Sequence, residues 1–429
     1  MRVNHLFFKF ILYFYYRFVL HKQKLRTKTL LMKRFSLILT IILPFAVLSQ
    51  KTITSISNGI ASNPAVWDCQ CFPATNDKII VNHNITMNTN WLISGGGSIV
   101  VNWGASFNED SQYRSILIDG NGSRFVNHGT TKMTTFGVIN GAEVQNHYVL
   151  SLDSALLVGI GSTYFNYGNT IDLDSTYIQG KLVNEGVFKK GDFLNDGTVI
   201  NSGYIRSDSL ANRGSFISSA GNIEAYDFGN NGSFEISGSS YMTVSNNSIN
   251  DGHITIAAGR SISIDNDFSN VNTNNGSNIY NDGLFEVGNN FLNMDTLRGS
   301  GIFCISESSA NHGVVIGTLD ICDNTGTGYF DINTGTIAAG VTDCVSGCVV
   351  NVEEEKELEN ISIYPNPVEN TLNIQTDLKG TFNIIDITGN QVLNGQITSK
   401  IDLSNLSPAI YFIQLNTQSG VSTIKFIKK

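Results

Sequence analysis

The chain has 429 residues, of which 10% are aromatic and 15% charged, and its formal net charge is −9. The first 49 residues hold nine of the 27 Lys and Arg residues and no acidic residue. The remaining 380 residues therefore carry 18 basic against 36 acidic residues, a net charge of −18. Such an acidic surface repels phosphate backbones, so nucleic acid is not expected as a partner. The length predicts two or three domains.

The chain begins with two hydrophobic segments. In the second, the basic Met32-Lys33-Arg34 precedes fourteen mostly apolar residues, and Ser49 is a small residue before Gln50. This order predicts a secretory signal peptide over 32–49, cleaved between Ser49 and Gln50. Residues 1–31 contain an aromatic run that is interrupted by basic residues. A transmembrane helix needs about 18 consecutive apolar residues, and this run is interrupted before that length. We therefore interpret 1–31 as an extension upstream of the true start.

Six cysteines follow the predicted cut: Cys69, Cys71, Cys304, Cys322, Cys344 and Cys348. An even number in an exported chain predicts disulfides, although the sequence cannot choose among fifteen pairings. We expect local pairs, Cys304 with Cys322 and Cys344 with Cys348, while a Cys69–Cys71 bond would close a small strained ring. Zinc is the alternative, but no histidine or second cysteine pair stands at ligand spacing. Neither a metal nor another cofactor is predicted.

The triplet Asn-x-Gly recurs fourteen times between about 100 and 335. Its asparagines are Asn102, Asn127, Asn166, Asn184, Asn195, Asn201, Asn212, Asn230, Asn250, Asn274, Asn281, Asn311, Asn324 and Asn333. Many triplets lead directly into a β-prone run, as in Gly214-Ser215-Phe216-Ile217. Because Asn and Gly tolerate positive φ and β-branched or aromatic residues favour strands, each unit predicts a tight corner followed by a short strand.

The spacing of the triplets clusters near 18–20 residues, the length of one coil of a parallel β-helix. Helical periodicity is nearly absent from 50 to 350. The sequence therefore predicts an all-β chain whose residues 50–352 form a right-handed parallel β-helix of ten to twelve coils, with an N-terminal cap over 50–99. Inward positions such as Phe188, Phe216, Phe234, Ile254 and Phe285 are expected to stack as apolar ladders.

The excess of asparagine has two interpretations. Asparagines at equivalent corners can stack, each amide bonding to the next coil, or they can line a Ca²⁺ or glycan site. Their recurrence at corners throughout the body favours stacking. Trp67 is interpreted as part of the cap that covers the first coil, since an open coil exposes apolar surface and strand edges. Sugar stacking is the alternative for Trp67 and stays open for Trp91.

An enzyme is the main alternative to a structural protein, since β-helices also carry polysaccharide lyases and hydrolases. Glycoside hydrolysis needs two carboxylates across the scissile bond, and lyase chemistry needs a base with a charge-neutralising group. Candidate acids occur at Asp172, Asp174, Asp265, Asp267 and Glu185, but each also fits a solvated turn. His128 and His312 occupy the variable position of Asn-x-Gly corners, expected to face solvent. No catalytic residue is predicted.

Residues 353–360 form an acidic run that reads as a solvated linker. The following residues 361–429 contain about seven short alternating runs separated by turn signals, which predict a small Ig-like antiparallel β-sandwich. In order they show a Tyr-Pro-Asn-Pro box, an Asp-x-x-Gly turn, a Leu-x-x-small-apolar-Tyr pattern in which Ala409 replaces the usual glycine, and a basic apolar end. The residues concerned are Tyr364, Pro365, Asn366, Pro367, Asp386, Gly389, Tyr411, Lys425, Lys428 and Lys429.

This segment resembles the type A C-terminal sorting domain of the type IX secretion system of Bacteroidetes-type bacteria, and the body is similar to the β-helical repeats of such secreted proteins. The resemblance implies export to the cell surface or beyond, with the secretion machinery as partner. It also implies removal of the domain near the linker and attachment to surface lipopolysaccharide. An extracellular glycan is a further partner considered for an adhesin-like body.

Three segments resemble the Asp-Ser/Thr-apolar sites of O-glycosylation in these bacteria. Their hydroxyl residues are Ser154, Ser209 and Thr296. A three-residue pattern matches by chance often, so an unmodified surface is the alternative. The sequence as a whole predicts a secreted or surface-displayed structural, adhesin-like protein. The alternatives are a carbohydrate-active enzyme on a β-helix and a carbohydrate-binding module.

Overall fold

The computed structural model describes residues 50–348 and 362–429, except 172–173, 190, 274–275, 326–327, 346, 376–378, 387–390 and 418–419. Predictions for 1–49, for the linker 353–360, and for Asp172 and Gly389 lie outside these residues. The described residues form strands and one 3₁₀ turn, Pro64–Val66. Within them, no helix is long and apolar enough to cross a membrane.

The strands fall into a long body and a C-terminal domain. The body contains β1 (Thr52–Thr54), β2 (Gly59–Ile60), β3 (Lys78–Val81), β4 (Asn84–Met87), β5 (Trp91–Ile93), β6 (Ser98–Val101), β7 (Ser106–Glu109), β8 (Ser115–Asp119), β9 (Arg124–Asn127), β10 (Thr130–Ile139), β11 (Glu143–Asn146), β12 (Val149–Val158), β13 (Thr163–Asn166), β14 (Asn169–Ile171), β15 (Ser175–Ile178), β16 (Lys181–Asn184), β17 (Val187–Lys189), β18 (Asp192–Asn195), β19 (Thr198–Asn201), β20 (Tyr204–Asn212), β21 (Ser215–Ser218), β22 (Asn222–Asn230), β23 (Ser233–Ile236), β24 (Tyr241–Val244), β25 (Ser248–Asn250), β26 (His253–Ile256), β27 (Ser261–Ile264), β28 (Phe268–Asn270), β29 (Asn278–Asn281), β30 (Leu284–Val287), β31 (Phe291–Asn293), β32 (Thr296–Gly299), β33 (Ile302–Ile305), β34 (Ser309–Asn311), β35 (Val314–Gly317), β36 (Asp320–Asp323), β37 (Ile332–Asn333), β38 (Thr336–Ile337) and β39 (Thr342–Asp343). The C-terminal domain contains β40 (Ser362–Tyr364), β41 (Thr371–Gln375), β42 (Gly380–Asp386), β43 (Gln391–Gln396), β44 (Lys400–Asp402), β45 (Ala409–Thr417) and β46 (Gly420–Lys428).

The body is a three-faced parallel β-solenoid, as predicted. Face A is one sheet of fifteen strands in the order β1-β3-β6-β9-β11-β13-β16-β19-β21-β23-β26-β29-β32-β35-β38. After each face-A strand the chain forms face B and then face C, either as two strands or as one long strand such as β10. Between β3 and β37 it completes thirteen coils, more than the ten to twelve expected, because regular coils begin before the first Asn-x-Gly triplet.

Alternation along each short strand builds the core. In a four-residue strand the second and fourth side chains point inward, as Tyr164 and Asn166 do on β13. The predicted apolar ladder positions are all buried, and they belong to one continuous cluster along the solenoid. Phe216 and Phe234 are register partners on neighbouring coils, with ring centroids 4.9 Å apart. Each coil therefore buries its apolar side chains against the coils above and below, as solenoids do.

Two ladders of buried asparagines run along two corners of the solenoid. The first ends the face-A strands and comprises Asn127, Asn146, Asn166, Asn184 and Asn201, continued by Ser218 and Ser240. The second ends the face-C strands and comprises Asn195, Asn212, Asn230, Asn250, Asn270, Asn293, Asn311 and Asn333. In both, each Nδ2 donates to the Oδ1 of the next asparagine over 2.7–2.9 Å.

The ladder asparagines also satisfy the backbone at the corner. Asn230, for example, accepts from the backbone N–H of Gly232 over 3.3 Å and donates to the carbonyl oxygen of His253 over 3.1 Å. A corner inside a stacked solenoid has no water to pair its peptide groups, and leaving them unpaired costs free energy. Burial of the ladder residues up to Asn311 also excludes the interpretation of these asparagines as a surface Ca²⁺ or glycan site.

The glycines of the triplets are required for a reason that the sequence analysis missed. Positive φ was expected and is found at Gly104 and Gly276, but most triplet glycines, including Gly186 and Gly214, do not lie in the left-handed region. Instead, a Cβ on Gly186 would lie 2.0 Å from the carbonyl oxygen of Gly168 on the preceding coil, and one on Gly214 2.1 Å from that of Gly197. The glycine is therefore selected because two backbones approach closely at the corner.

The N-terminal end is closed by the segment between β2 and β3. Trp67 is fully buried and donates from Nε1 to the carbonyl oxygen of Ala61 over 2.8 Å. Trp91 is also buried, at 5% exposure, and packs on Trp67 with ring centroids 6.3 Å apart. Both tryptophans therefore belong to the core and the cap, and neither can be a sugar-stacking platform. Cys69 and Cys71 form a disulfide in the same segment.

The C-terminal end is cross-linked differently from our expectation. The disulfides join Cys304 to Cys348 and Cys322 to Cys344, with Cα atoms 5.6 and 4.4 Å apart. The local pairs Cys304–Cys322 and Cys344–Cys348 are therefore wrong. Cys304 and Cys322 are register partners on consecutive coils. Cys304 lies between two residues that face the core, so its side chain and that of its partner Cys322 point outward from the coils. The segment that follows β39 folds back over them and supplies both bonding partners, so it is fastened to the last coils.

The C-terminal domain is a two-sheet antiparallel β-sandwich, as predicted. One sheet has the order β40-β41-β44 and the other β43-β42-β45-β46. The two sheets enclose a separate apolar core around Leu372, Ile384, Ile413 and Phe426.

A matched pair of neighbouring asparagines tests the ladders. Asn230 is fully buried in the second ladder, whereas Asn231 is exposed on the same corner. Replacing Asn230 by Ala removes its buried hydrogen bonds to Asn212, Asn250 and the corner backbone of Gly232 and His253. We expect this to lower the free energy of unfolding by about 2–3 kcal/mol. Asn231→Ala should stay within about 0.5 kcal/mol of wild type. Urea unfolding of the mature protein measures both values, and equal effects would contradict the ladder.

Candidate functional site

The two ends of the C-terminal domain's sequence pattern meet in space. Asn366, inside the Tyr-Pro-Asn-Pro box, donates from Nδ2 to the carbonyl oxygen of Lys425 over 3.2 Å and accepts from the N–H of Ile427 over 2.9 Å. Val368 continues this pairing, since its N–H donates to Ile427 and its carbonyl accepts from Lys429, both over 2.8 Å. The Asn366 side chain thus replaces a strand's peptide group beside the end of β46. We call these four hydrogen bonds the box–tail clip.

The clip divides the predicted sorting residues into exposed and structural ones. Tyr364 is half exposed, and Pro365, Asn366 and Pro367 are exposed, as are Lys425 and Lys429. Lys428 is 7% exposed, and Tyr411 is buried against Phe426 and donates its hydroxyl to the carbonyl oxygen of Ser407 over 3.0 Å. Asp386 is the register partner of Tyr411 at the end of β42.

The exposed surface of the clip therefore combines a phenol ring, two prolines and two ammonium groups. Within a chain of net acidic charge, the Lys425 and Lys429 side chains form a local basic edge. Such an edge favours contact with a partner of negative charge. The Tyr-Pro-Asn-Pro box and the basic tail, which lie about 60 residues apart in the sequence, therefore form one continuous surface.

Comparison with known families supports the identity of this domain. Residues 362–429 match the family model of the secretion system C-terminal sorting domain. No curated protein and no solved structure matches the chain. The sorting domain marks proteins that the type IX system secretes and that are attached to or released from the cell surface. The chain carries this domain and is a secreted or cell-surface protein of the type IX system.

The box–tail clip predicts which variants of the domain fail in sorting. Asn366→Ala removes both side-chain hydrogen bonds, so the box separates from the tail and less protein should reach the cell surface. Asn366→Asp keeps an acceptor for Ile427 and loses the donor to Lys425, so we expect an intermediate loss. Asn394→Ala, exposed on β43, is the matched control. Immunoblots of periplasm, cell surface and medium measure delivery, and normal delivery of Asn366→Ala would contradict the role of the clip.

A second site lies on the body, at the corner between faces A and B. Four rings stack on consecutive coils: Trp103, His128, His147 and Tyr167. The successive ring centroids are 5.5, 4.5 and 4.8 Å apart, and Tyr148 meets Trp103 edge-on at 5.9 Å. We call these five residues the aromatic stripe. Each stacked ring occupies the position directly after the asparagine of its corner, so buried Asn127, Asn146 and Asn166 fix the backbone beneath.

The stripe combines exposed rings with two partly buried imidazoles. Trp103 is 62% exposed, Tyr148 49% and Tyr167 39%. Burial lowers the pKa of His128 and of His147, and the neighbouring His128 and the charge of Lys425 lower the pKa of His147 further. Burial also raises the pKa of Tyr167, to which the nearby carboxylates of Glu185 and Glu143 contribute. At neutral pH the stack is therefore uncharged and lies beside acidic groups.

The lowered histidine pKa values predict a loss of stability in weak acid. A histidine in the unfolded chain has a pKa of about 6.5. Between the lower pKa of the folded protein and this value, the unfolded chain binds more protons than the folded chain does. The stability linked to the two neutral histidines is fully present above pH ~6.5 and is lost as the pH falls through their folded pKa. We expect the melting temperature to fall from pH ~7.5 to ~5.5 by less in the His128→Gln/His147→Gln variant than in wild type. His312→Gln, on another corner, is the control. Equal pH dependence in all three proteins would contradict this account.

Apart from His128 and Glu185, the remaining predicted residues described by the structure lie away from both sites. His312 is exposed, but His128 is half-buried in the stripe, against the expectation that it faces solvent. Ser154, Ser209 and Thr296 are half-buried on separate coils, and their glycosylation stays a prediction. In the described part of the chain, no three His, Cys, Asp or Glu residues are grouped to hold a metal ion. Trp103 was not predicted as a site residue, although the sequence shows a ring directly after the asparagine in four successive corners.

Proposed function

We propose that this secreted protein is an adhesin-like rod that displays its outer faces at the cell surface and performs no catalysis. The observation that carries the proposal is the regularity of the solenoid. From β3 to β36 no connection between strands exceeds seven residues, and the parallel register continues through all three faces. At about 4.8 Å per coil, the thirteen coils span roughly 60 Å. A rod of this kind presents repeated surfaces suited to many weak contacts.

The candidate carboxylates support a structural role. Asp267 accepts hydrogen bonds on Oδ1 from the side chains of Asn289 and Asn290, both over 2.8 Å, and so joins two coils at a corner. Glu185 is exposed beside the aromatic stripe, where it affects Tyr167. These are the environments of corner and surface residues. A carbohydrate-active enzyme remains the alternative that the experiment must separate.

The sorting domain supplies the route to the surface. We propose that the secretion machinery reads the clip surface, that the domain is removed near the linker 353–360, and that the body is then attached to lipopolysaccharide or released. The disulfides Cys304–Cys348 and Cys322–Cys344 lie before that linker, so the cut leaves the last coils fastened. An extracellular glycan is the proposed target of the displayed rod.

A deletion strain and the purified mature protein test the proposal together. We expect loss of adhesion to polysaccharide-coated surfaces in the deletion strain and recovery on complementation. The purified protein should bind polysaccharide without releasing reducing ends or unsaturated products. Hydrolysis or elimination that disappears when one carboxylate is replaced would overturn the proposal in favour of an enzyme.

A further inference from the structure

The aromatic stripe is an exception on the outside of the body. On the first ladder's corner, the residue after the asparagine is aromatic or histidine in four consecutive coils, and becomes Glu185 and Ser202 in the next two. The second ladder's corner carries a mixture at the same position, including Asp196, Arg213 and Asp251. Repeated selection of flat rings at one corner leaves large apolar side chains in solvent. Their exposure marks an interaction site more often than a structural need.

We propose that the exposed end of the aromatic stripe, formed by Trp103 and Tyr148, binds a neutral polysaccharide. The inference rests on the proposed adhesive function and assigns it to these residues. The C–H faces of a sugar ring pack against the exposed faces of aromatic rings, which carry negative charge density. His128 and His147 each lie between two other rings of the stack, so their faces are covered. We assign the sugar contact to Trp103, which ends the stack, and to Tyr148, which meets Trp103 edge-on; these are the two most exposed rings of the stripe.

Polar groups for the sugar hydroxyls lie beside the rings. The Nε2 group of Gln145 donates to Oε1 of Glu143 over 2.9 Å, and Oε1 of Gln145 lies 3.3 Å from Nε2 of His147. A carboxylate, an amide and an imidazole thus form a row of hydrogen-bonding groups along one side of the stack. Apolar faces with a few fixed polar groups are the usual composition of sites for small polar molecules.

Charge and shape favour a neutral glycan over the other classes of ligand. Glu143 and Glu185 flank the stripe, but Arg124 lies 3.7 Å from Glu143 and Lys425 of the sorting domain lies near His147, so the local charge is nearly balanced. The acidic excess of the whole chain then disfavours an anionic polymer. A stable protein partner needs about 800 Å² on each side, whereas the stripe is a convex corner one side chain wide.

The tryptophans of the chain allow a direct test. There are three, and Trp67 and Trp91 are buried, so a soluble quencher reaches Trp103. Acrylamide quenching of the mature protein is measured with cellohexaose, xylohexaose and mannohexaose as neutral probes and with an oligogalacturonate as the anionic one. We expect at least one neutral probe to protect Trp103 and the anionic probe to leave it accessible.

Variants then locate the binding by calorimetry with the protecting probe. Trp103→Ala and Tyr148→Ala should each weaken affinity about tenfold. Tyr226→Ala, which removes a 56% exposed ring from β22, should leave it unchanged. The proposal is overturned if no neutral probe protects Trp103, if the anionic probe binds preferentially, or if both stripe variants bind normally. It is equally overturned if the stripe variants lose adhesion to protein-coated surfaces alone.

These outcomes separate the inference from the proposed function. Normal glycan binding by Trp103→Ala leaves an adhesive rod that uses another face. Cleavage of the probe by the wild-type protein removes the non-catalytic function, whether or not Trp103 is protected.

Discussion

The structure depends on pairing the backbone polar groups at the corners of a stacked coil. Thirteen coils turn corners that are buried by the coils on either side, so water cannot satisfy their peptide groups. The asparagines of the two ladders solve this problem, because one side chain binds its own corner and the neighbouring coil at once, as Asn230 does. At most of these corners the glycine two residues later is required by the same stacking, since a side chain there would meet a carbonyl oxygen of the preceding coil.

Because the asparagine and the glycine of a corner have fixed structural roles, the residue between them is free to vary. In most Asn-x-Gly corners the asparagine points inward and the glycine lies against the preceding coil, whereas Gly104 lies in the left-handed region with no such neighbour. The residue between the asparagine and the glycine is placed at the surface. Mixed polar residues at that position produce an ordinary surface, whereas the rings from Trp103 to Tyr167 produce the aromatic stripe. The sorting domain follows the same logic on a smaller scale. Asn366 replaces a peptide group and holds an exposed motif beside the basic tail.

Much of this architecture could be predicted from the sequence, because the repeat of the coils is visible in the spacing of its residues. The Asn-x-Gly spacing identified the parallel solenoid, and alternation placed Phe216 and Phe234 in the core. It could not distinguish a glycine that needs positive φ from one that meets a neighbouring backbone, since only the stacked coils show the close approach. Disulfide pairing failed for a similar reason. Cys304 and Cys322 suggested a local bond, but the returning segment that carries Cys344 and Cys348 is a tertiary feature.

The sites were predicted unevenly. The exposed motif of the sorting domain was recognised from its order, but its contact with the tail required the pairing of Val368 with β46. Trp67 and Trp91 were considered as sugar-binding residues from the sequence, yet both are buried. The exposed Trp103 was recognised as part of a site only from its stacking on His128 of the next coil.

Solvent exchange of the asparagine side-chain amides tests the central claim most directly. The mature protein, labelled with ¹⁵N on asparagine and perdeuterated, is transferred to D₂O and followed by NMR. If the ladders hold the corners, the side-chain amides of the buried ladder residues Asn127 to Asn311 exchange as slowly as the strand backbone around them, while that of exposed Asn231 exchanges at once. Immediate exchange of all asparagine side chains, with the backbone still protected, would contradict the account.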